Sequence, residues 1–144
     1  MKRLLFAGLA ALAAAGCQNP RSSAGFSLPA GDADRGKLAF VELKCHECHR
    51  VEGADLPAPV AVPPVPVVLG GEIPHVKTDG ELVASIIHPS HKIARGYPVD
   101  AVKRGDGSRM PDYADAMTVR QMIDVVAFLQ KRYVVVRPTL GRTQ

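Results

Sequence analysis

The 144-residue chain is short of several features that would have settled its class early. The amino-terminal apolar run, Leu4 to Gly16, holds 13 residues and is too short to span a bilayer, for which about 20 are needed. There are only three cysteines, Cys17, Cys45 and Cys48, too few for a disulfide-stapled scaffold. No second Cys-x-x-Cys and no His-x-x-x-His follows, so the four ligands of a structural zinc site are not supplied by the usual pairs. The basic excess is small as well. Lys2 and Arg3 account for two of the 18 basic residues; without them 16 stand against 14 acidic ones, a balance of +2. That excludes the clear basic surplus of a nucleic-acid-binding domain.

What the chain does have is Cys45-His46-Glu47-Cys48-His49, a Cys-x-x-Cys-His pentad of the kind that attaches a c-type haem. On a helical turn, residues three apart share a face at about 5–6 Å. Cys45 and Cys48 can then both reach the vinyl groups of one porphyrin, and His49 is carried under the iron as the proximal ligand. Two other readings remain beside it. Zinc would need His88 and His91 to complete the ligand set, and a thioredoxin-like dithiol would need the pentad at a strand end in a βαβ unit. The residues before Cys45 read instead as helix.

The amino terminus, residues 1–16, reads as a signal peptide: Lys2 and Arg3, then the apolar run, ending at Ala14-Ala15-Gly16-Cys17. That ending resembles a bacterial lipobox, in which Cys17 would receive a diacylglycerol, although Ala14 stands where the pattern usually has Leu. Cleavage after Ala15 with a spare thiol is the alternative. With Cys17 on lipid and Cys45 and Cys48 on haem, no cysteine remains for a disulfide. Residues 17–31 form the lipidated cysteine and a polar Gly/Ser/Pro tether of roughly 20 Å. Gln18, where inner-membrane retention often has Asp, tilts the expected location toward the outer membrane, periplasmic side.

Residues 32–133 read as one all-α domain and residues 134–144 as a frayed tail. Asp32 or Asp34 caps a first helix that runs to the pentad, with Leu38, Val41 and Cys45 on one face and Phe40 alongside. Gly36 costs that helix about 1 kcal/mol against Ala, which asks for close approach of another helix. Five prolines between Pro57 and Pro66 predict an apolar loop, either packed on a flat apolar group or exposed. Thr78 and Glu81 have capping-box spacing for a second helix to His88, with Leu82, Val83, Ile86 and Ile87 as its stripe and Pro89 as its stop. Residues 89–108 read as loop. Thr118 and Gln121 cap a last helix whose buried face is Met122, Val125, Val126 and Leu129, with Phe128 and Tyr133 flanking. His46 and His75 read as surface residues.

A second axial ligand is offered by Met110, which Pro111 pushes onto extended loop backbone. A thioether binds reduced iron well and raises its potential. Met117 and the pair His88 and His91 are the competitors; Met122 reads as core. Basic residues gather between Ile87 and Arg109 (Lys92, Arg95, Lys103, Arg104, Arg109) and after Asp124. They serve either to neutralise haem propionates at a solvated surface or to dock an acidic partner.

The order of these features resembles a class I c-type cytochrome from about Asp34 to Tyr133. Gly36 and Phe40 are similar to that family's first-helix pair, packing on a last helix at Val125 and Phe128; Met110-Pro111 and the helix after Thr118 are similar to its ending. Ser85 to Ser90 and Gly96-Tyr97-Pro98 also resemble the haem domain fused to some cytochrome c oxidase second subunits, yet no copper-site Cys/His cluster is present. The resemblance implies three to four short helices and long irregular loops around one covalent haem c, with His49 and Met110 on the iron. It further implies a one-electron carrier rather than an enzyme, passing electrons between redox proteins, with no small-molecule substrate. A dedicated haem subunit of a periplasmic dehydrogenase or oxidase, and a haem enzyme or gas sensor with displaceable Met110, are the alternative functions. Where most relatives have Gly-Pro-x-Leu, this chain has Pro63-Pro64-Val65-Pro66-Val67-Val68-Leu69, so which proline carbonyl orients His49 stays open.

Overall fold

The first and last helices carry the fold. The computed structural model describes residues 26–61 and 65–136; the expected signal peptide, Cys17, Pro63, Pro64 and the last residues of the tail lie outside them. Helix α1 (Ala33–Glu42) begins at Asp32, whose carboxylate accepts from the backbone N–H groups of Asp34 and Arg35. Helix α4 (Val119–Gln130) crosses it, and Gly36 sits at the crossing. A Cβ at Gly36 would overlap the Asp124 carbonyl and come within 2.9 Å of Phe128 Cβ. The glycine that weakens α1 locally is therefore what lets the two backbones meet. Phe40 and Phe128 close the contact edge to face, 5.6 Å between ring centroids, and both are buried with Val125.

The buried face of α1 is Ala33, Gly36, Ala39 and Phe40. Leu38, expected inside, is 70% exposed, because the contact at Gly36 turns the helix so that the Leu38 side faces water. Nor does α1 reach the pentad. It stops at Leu43, and Lys44 takes a left-handed conformation (φ 59) that redirects the chain.

An ion pair between the buried Asp124 and the exposed Arg35 ties the same crossing together. Asp124, 2% exposed, accepts from Asp32 N–H at 2.8 Å and from Arg35 Nε at 3.0 Å. Arg35, and then the Asp32 N–H, hold the Asp124 carboxyl below its ordinary 3.8. A depressed carboxylate contributes stability that is present above the unfolded value and is lost as pH falls through the folded one. The difference in denaturation midpoint between the native chain and Asp124→Asn should accordingly be full at pH 7 and shrink below about pH 4.

Helix α2 (Asp79–Ile87) has the full capping box of Thr78 and Glu81, and α4 that of Thr118 and Gln121. Leu82 and Ile86 are buried while Val83 and Ile87 are half-buried. On α4, Phe128 is central rather than flanking, and Met122 is only half-buried. Gln130 is buried and donates to Lys77 O and Asp79 Oδ1, fastening the end of α4 to the start of α2.

The stretch read as loop between Pro89 and Ser108 holds a 3-10 turn (Pro89–His91), a short helix α3 (Val99–Val102) and a hairpin. Among the described residues, six short strands occur in three pairs. These are β1 (His49–Val51) parallel with β2 (Val67–Leu69), β3 (Gly71–Ile73) parallel with β6 (Tyr133–Val135), and β4 (Lys103–Arg104) antiparallel with β5 (Gly107–Ser108). Runs of two or three residues are too short to show a period of two, so none is visible as a strand in the sequence. Strand β6 crosses the expected boundary at residue 133, turning the first valines of the expected tail into a sheet partner. The described residues of the proline-rich stretch, 57–61 and 65–66, are irregular, and Val60 is 94% exposed. Among the described residues the architecture is four short helices joined by irregular loops and small strand pairs, and no described helix is long and apolar enough to cross a membrane.

Candidate functional site

After Lys44 the pentad forms its own 3-10 turn, Cys45–Glu47, closed by a Cys48 N–H to Cys45 O bond of 3.2 Å. Cys45 opens this turn and Cys48 caps its end, a tighter turn than the expected α-helix. Both are free thiols, Cys45 buried and Cys48 exposed. Burial pushes the Cys45 thiol up to about 11, with the nearby Tyr113 hydroxyl working the other way. A thiol that stays protonated near neutral pH is a poor redox nucleophile. The turn also follows a helix and precedes a strand, which is the reverse of a thioredoxin-like placement. Among the described residues no group of three or more His, Cys, Asp or Glu side chains is placed to hold a metal ion.

His49 opens β1, and the parallel register sets it opposite Val67. Its Nδ1–H donates to the Val67 carbonyl at 3.3 Å, and the Phe40 ring lies 6.5 Å away. Burial lowers the His49 basicity, against the pull of that carbonyl. The ring is thus a neutral imidazole with its proton on Nδ1 and the lone pair of Nε2 available, the tautomer that a metal ligand needs. The acceptor is Val67, one residue beyond Pro66, and not a proline carbonyl. The strand pairing that selects it has no local signal in the sequence.

Met110 is half-buried on the irregular segment after β5, and its N–H donates to Ser108 Oγ at 3.0 Å. Three residues on, the Tyr113 hydroxyl donates to Leu43 O at 3.1 Å, so this segment is fastened to the end of α1 just ahead of the pentad. Burial also raises the Tyr113 phenol, to about 12. Met117 is 8% exposed and belongs to the core. His88 and His91 are exposed and stack on each other, 5.6 Å between centroids. His75 is exposed as expected; His46 is not a surface side chain, being 9% exposed with Nδ1 buried and unpaired.

Several apolar side chains that pack on the core remain half-buried, among them Leu56, Leu69, Ile87, Tyr113 and Met122. Two unbridged thiols on one turn, an imidazole of fixed tautomer and apolar surface at the edge of the core form a donor set that suits a covalently held porphyrin. The family model described as Cytochrome c matches residues 33–132, more than half of the chain.

The chain belongs to the cytochrome c family. As a cytochrome c domain it binds covalently attached haem c, one group in the typical member. The family role is electron carriage between redox partners, and its members are typically carriers rather than enzymes. Comparison with curated proteins and with solved structures gives no significant match. In this cytochrome the matched span starts with α1 and ends just after α4, so it covers both partners of the helix crossing and everything between them.

Proposed function

We propose that this cytochrome is a one-electron carrier in which Cys45 and Cys48 hold one haem c through thioethers while His49 and Met110 fill the two axial positions of the iron. The haem supplies reversible exchange of one electron between ferrous and ferric iron. The protein's part is to hold the site still. Val67 keeps the proton on His49 Nδ1, and Phe40 fixes the ring beside it. Ser108 and Tyr113 anchor the segment that presents Met110. Were His49 and Met110 both to hold the iron, no position would be left for a substrate, and the group would exchange electrons only. Redox partners then dock over a small, transient interface.

The observation that carries this reading is the His49 Nδ1–H bond to the Val67 carbonyl beside two unbridged thiols. The reading extends to a lipid anchor at Cys17 on the periplasmic side of a bacterial membrane, with the outer membrane favoured because Gln18 stands where inner-membrane retention often has Asp. Such an anchor would hold the carrier near membrane-bound partners and raise its effective concentration there. One mass spectrum of the mature protein, produced in a host with haem-ligation machinery, tests both parts. The expected result is a chain beginning at Cys17 with one haem and acyl additions. Colourless protein whose Cys45 and Cys48 still alkylate would overturn the haem assignment, and a haem-bearing chain without lipid would overturn only the anchor.

A further inference from the structure

The bond that orients His49 does not end at the Val67 carbonyl. That carbonyl and the Val68 N–H belong to one peptide group, and the Val68 N–H donates to the Tyr97 hydroxyl oxygen at 3.0 Å. Strand β2 has only β1 beside it among the described residues. The Val67 N–H points into that pair, to Cys48 O at 3.0 Å. The Val68 N–H, the next along the strand, therefore faces the open edge, where Tyr97 caps it. Tyr97 reaches this edge from a distant loop: Gly96 takes a left-handed turn (φ 83) just before it, and Pro98 starts α3 just after it. With half-buried rings at both ends, His49, the 67–68 peptide and Tyr97 form one line of hydrogen bonds.

We propose that Tyr97 is a positioning residue for His49, acting through the peptide between Val67 and Val68 to set how much negative charge the imidazole carries. The inference rests on the reading of His49 as an iron ligand. Hydrogen bonds in a chain polarise one another. An oxygen accepting from the Val68 N–H makes the Val67 carbonyl a stronger acceptor, which draws the His49 Nδ1 proton outward. An imidazole polarised in this way is a more basic ligand and favours ferric over ferrous iron. Removing the Tyr97 hydroxyl works in the opposite direction.

The test is Tyr97→Phe in the haem-loaded protein, with Thr118→Ala as a variant that weakens α4 by loss of its cap and leaves this line intact. In Tyr97→Phe the ferrous-to-ferric ratio at fixed ambient potential should rise by roughly two- to threefold. The His49 Nδ1 proton, followed by NMR in the ferrous state, should exchange faster with solvent. Thr118→Ala should move neither, although its unfolding midpoint falls. If His49 ring resonances show the large upfield shifts of a haem ligand, and Tyr97→Phe leaves both the ratio and the exchange rate unchanged, the inference is wrong while the ligand assignment stands. If native His49 lacks those shifts, both fall together.

Discussion

Gly36→Ala should cost about 2–3 kcal/mol of stability, a large share of the roughly 5–15 kcal/mol that holds a domain folded. Two effects oppose each other here. Alanine favours α1 by about 1 kcal/mol over glycine. Against this, the added methyl overlaps the Asp124 carbonyl and presses on Phe128 Cβ at 2.9 Å. A main-chain oxygen inside a helix cannot swing aside as a side-chain tip can, so α1 and α4 must separate. Separation loosens the Phe40–Phe128 contact and lengthens the bonds from Arg35 and Asp32 to Asp124. Steric overlap therefore outweighs propensity. Guanidinium unfolding of the ferric, haem-loaded protein measures the result, and an unchanged midpoint would show that the helices do not meet this closely.

The second large effect is expected at Met110. Met110→Ala should lower the reduction potential by on the order of 0.2 V, within the ~0.8 V that axial ligands span. The sulfur-to-ferric-iron charge-transfer band should vanish, and the ferrous protein should bind carbon monoxide rapidly. Met117→Ala makes a different prediction, because Met117 is a core side chain, 8% exposed. It should leave the potential in place and cost about 2–5 kcal/mol, as truncations of buried methionine do. A native protein that already binds carbon monoxide rapidly would mean that Met110 is displaceable, and the carrier reading would give way to a sensor or enzyme.

Features written in neighbouring residues are legible in the amino-acid sequence. Both capping boxes, Thr78 with Glu81 and Thr118 with Gln121, need only three-residue spacing and form as expected. The Gly36 contact is legible for another reason: a glycine inside a helix is a local loss that has to be offset by packing. Features that join distant segments are not. The Val67 carbonyl depends on a parallel pairing across the proline-rich loop, and Asp124 finds Arg35 on another helix, 89 residues away in the chain. Leu38 misleads because its spacing from Val41 suits a buried face, while the actual face is decided by where α4 has to cross. Helix α3 is four residues long, less than two turns, and so cannot announce itself through periodicity. The pentad is legible as chemistry, whereas its 3-10 geometry depends on the left-handed Lys44 that no residue type signals.

The meeting of α1 with α4 also sets an order of events at birth. Chains emerge amino terminus first, at about 5–20 residues per second, so α1 waits several seconds before the segment that buries Phe40 exists. Throughout that interval the turn bearing Cys45 and Cys48 has no completed core behind it. Both sulfurs are then open to a ligating enzyme; the closing of the last helix over Phe40 completes the core that buries Cys45 and leaves Cys48 exposed.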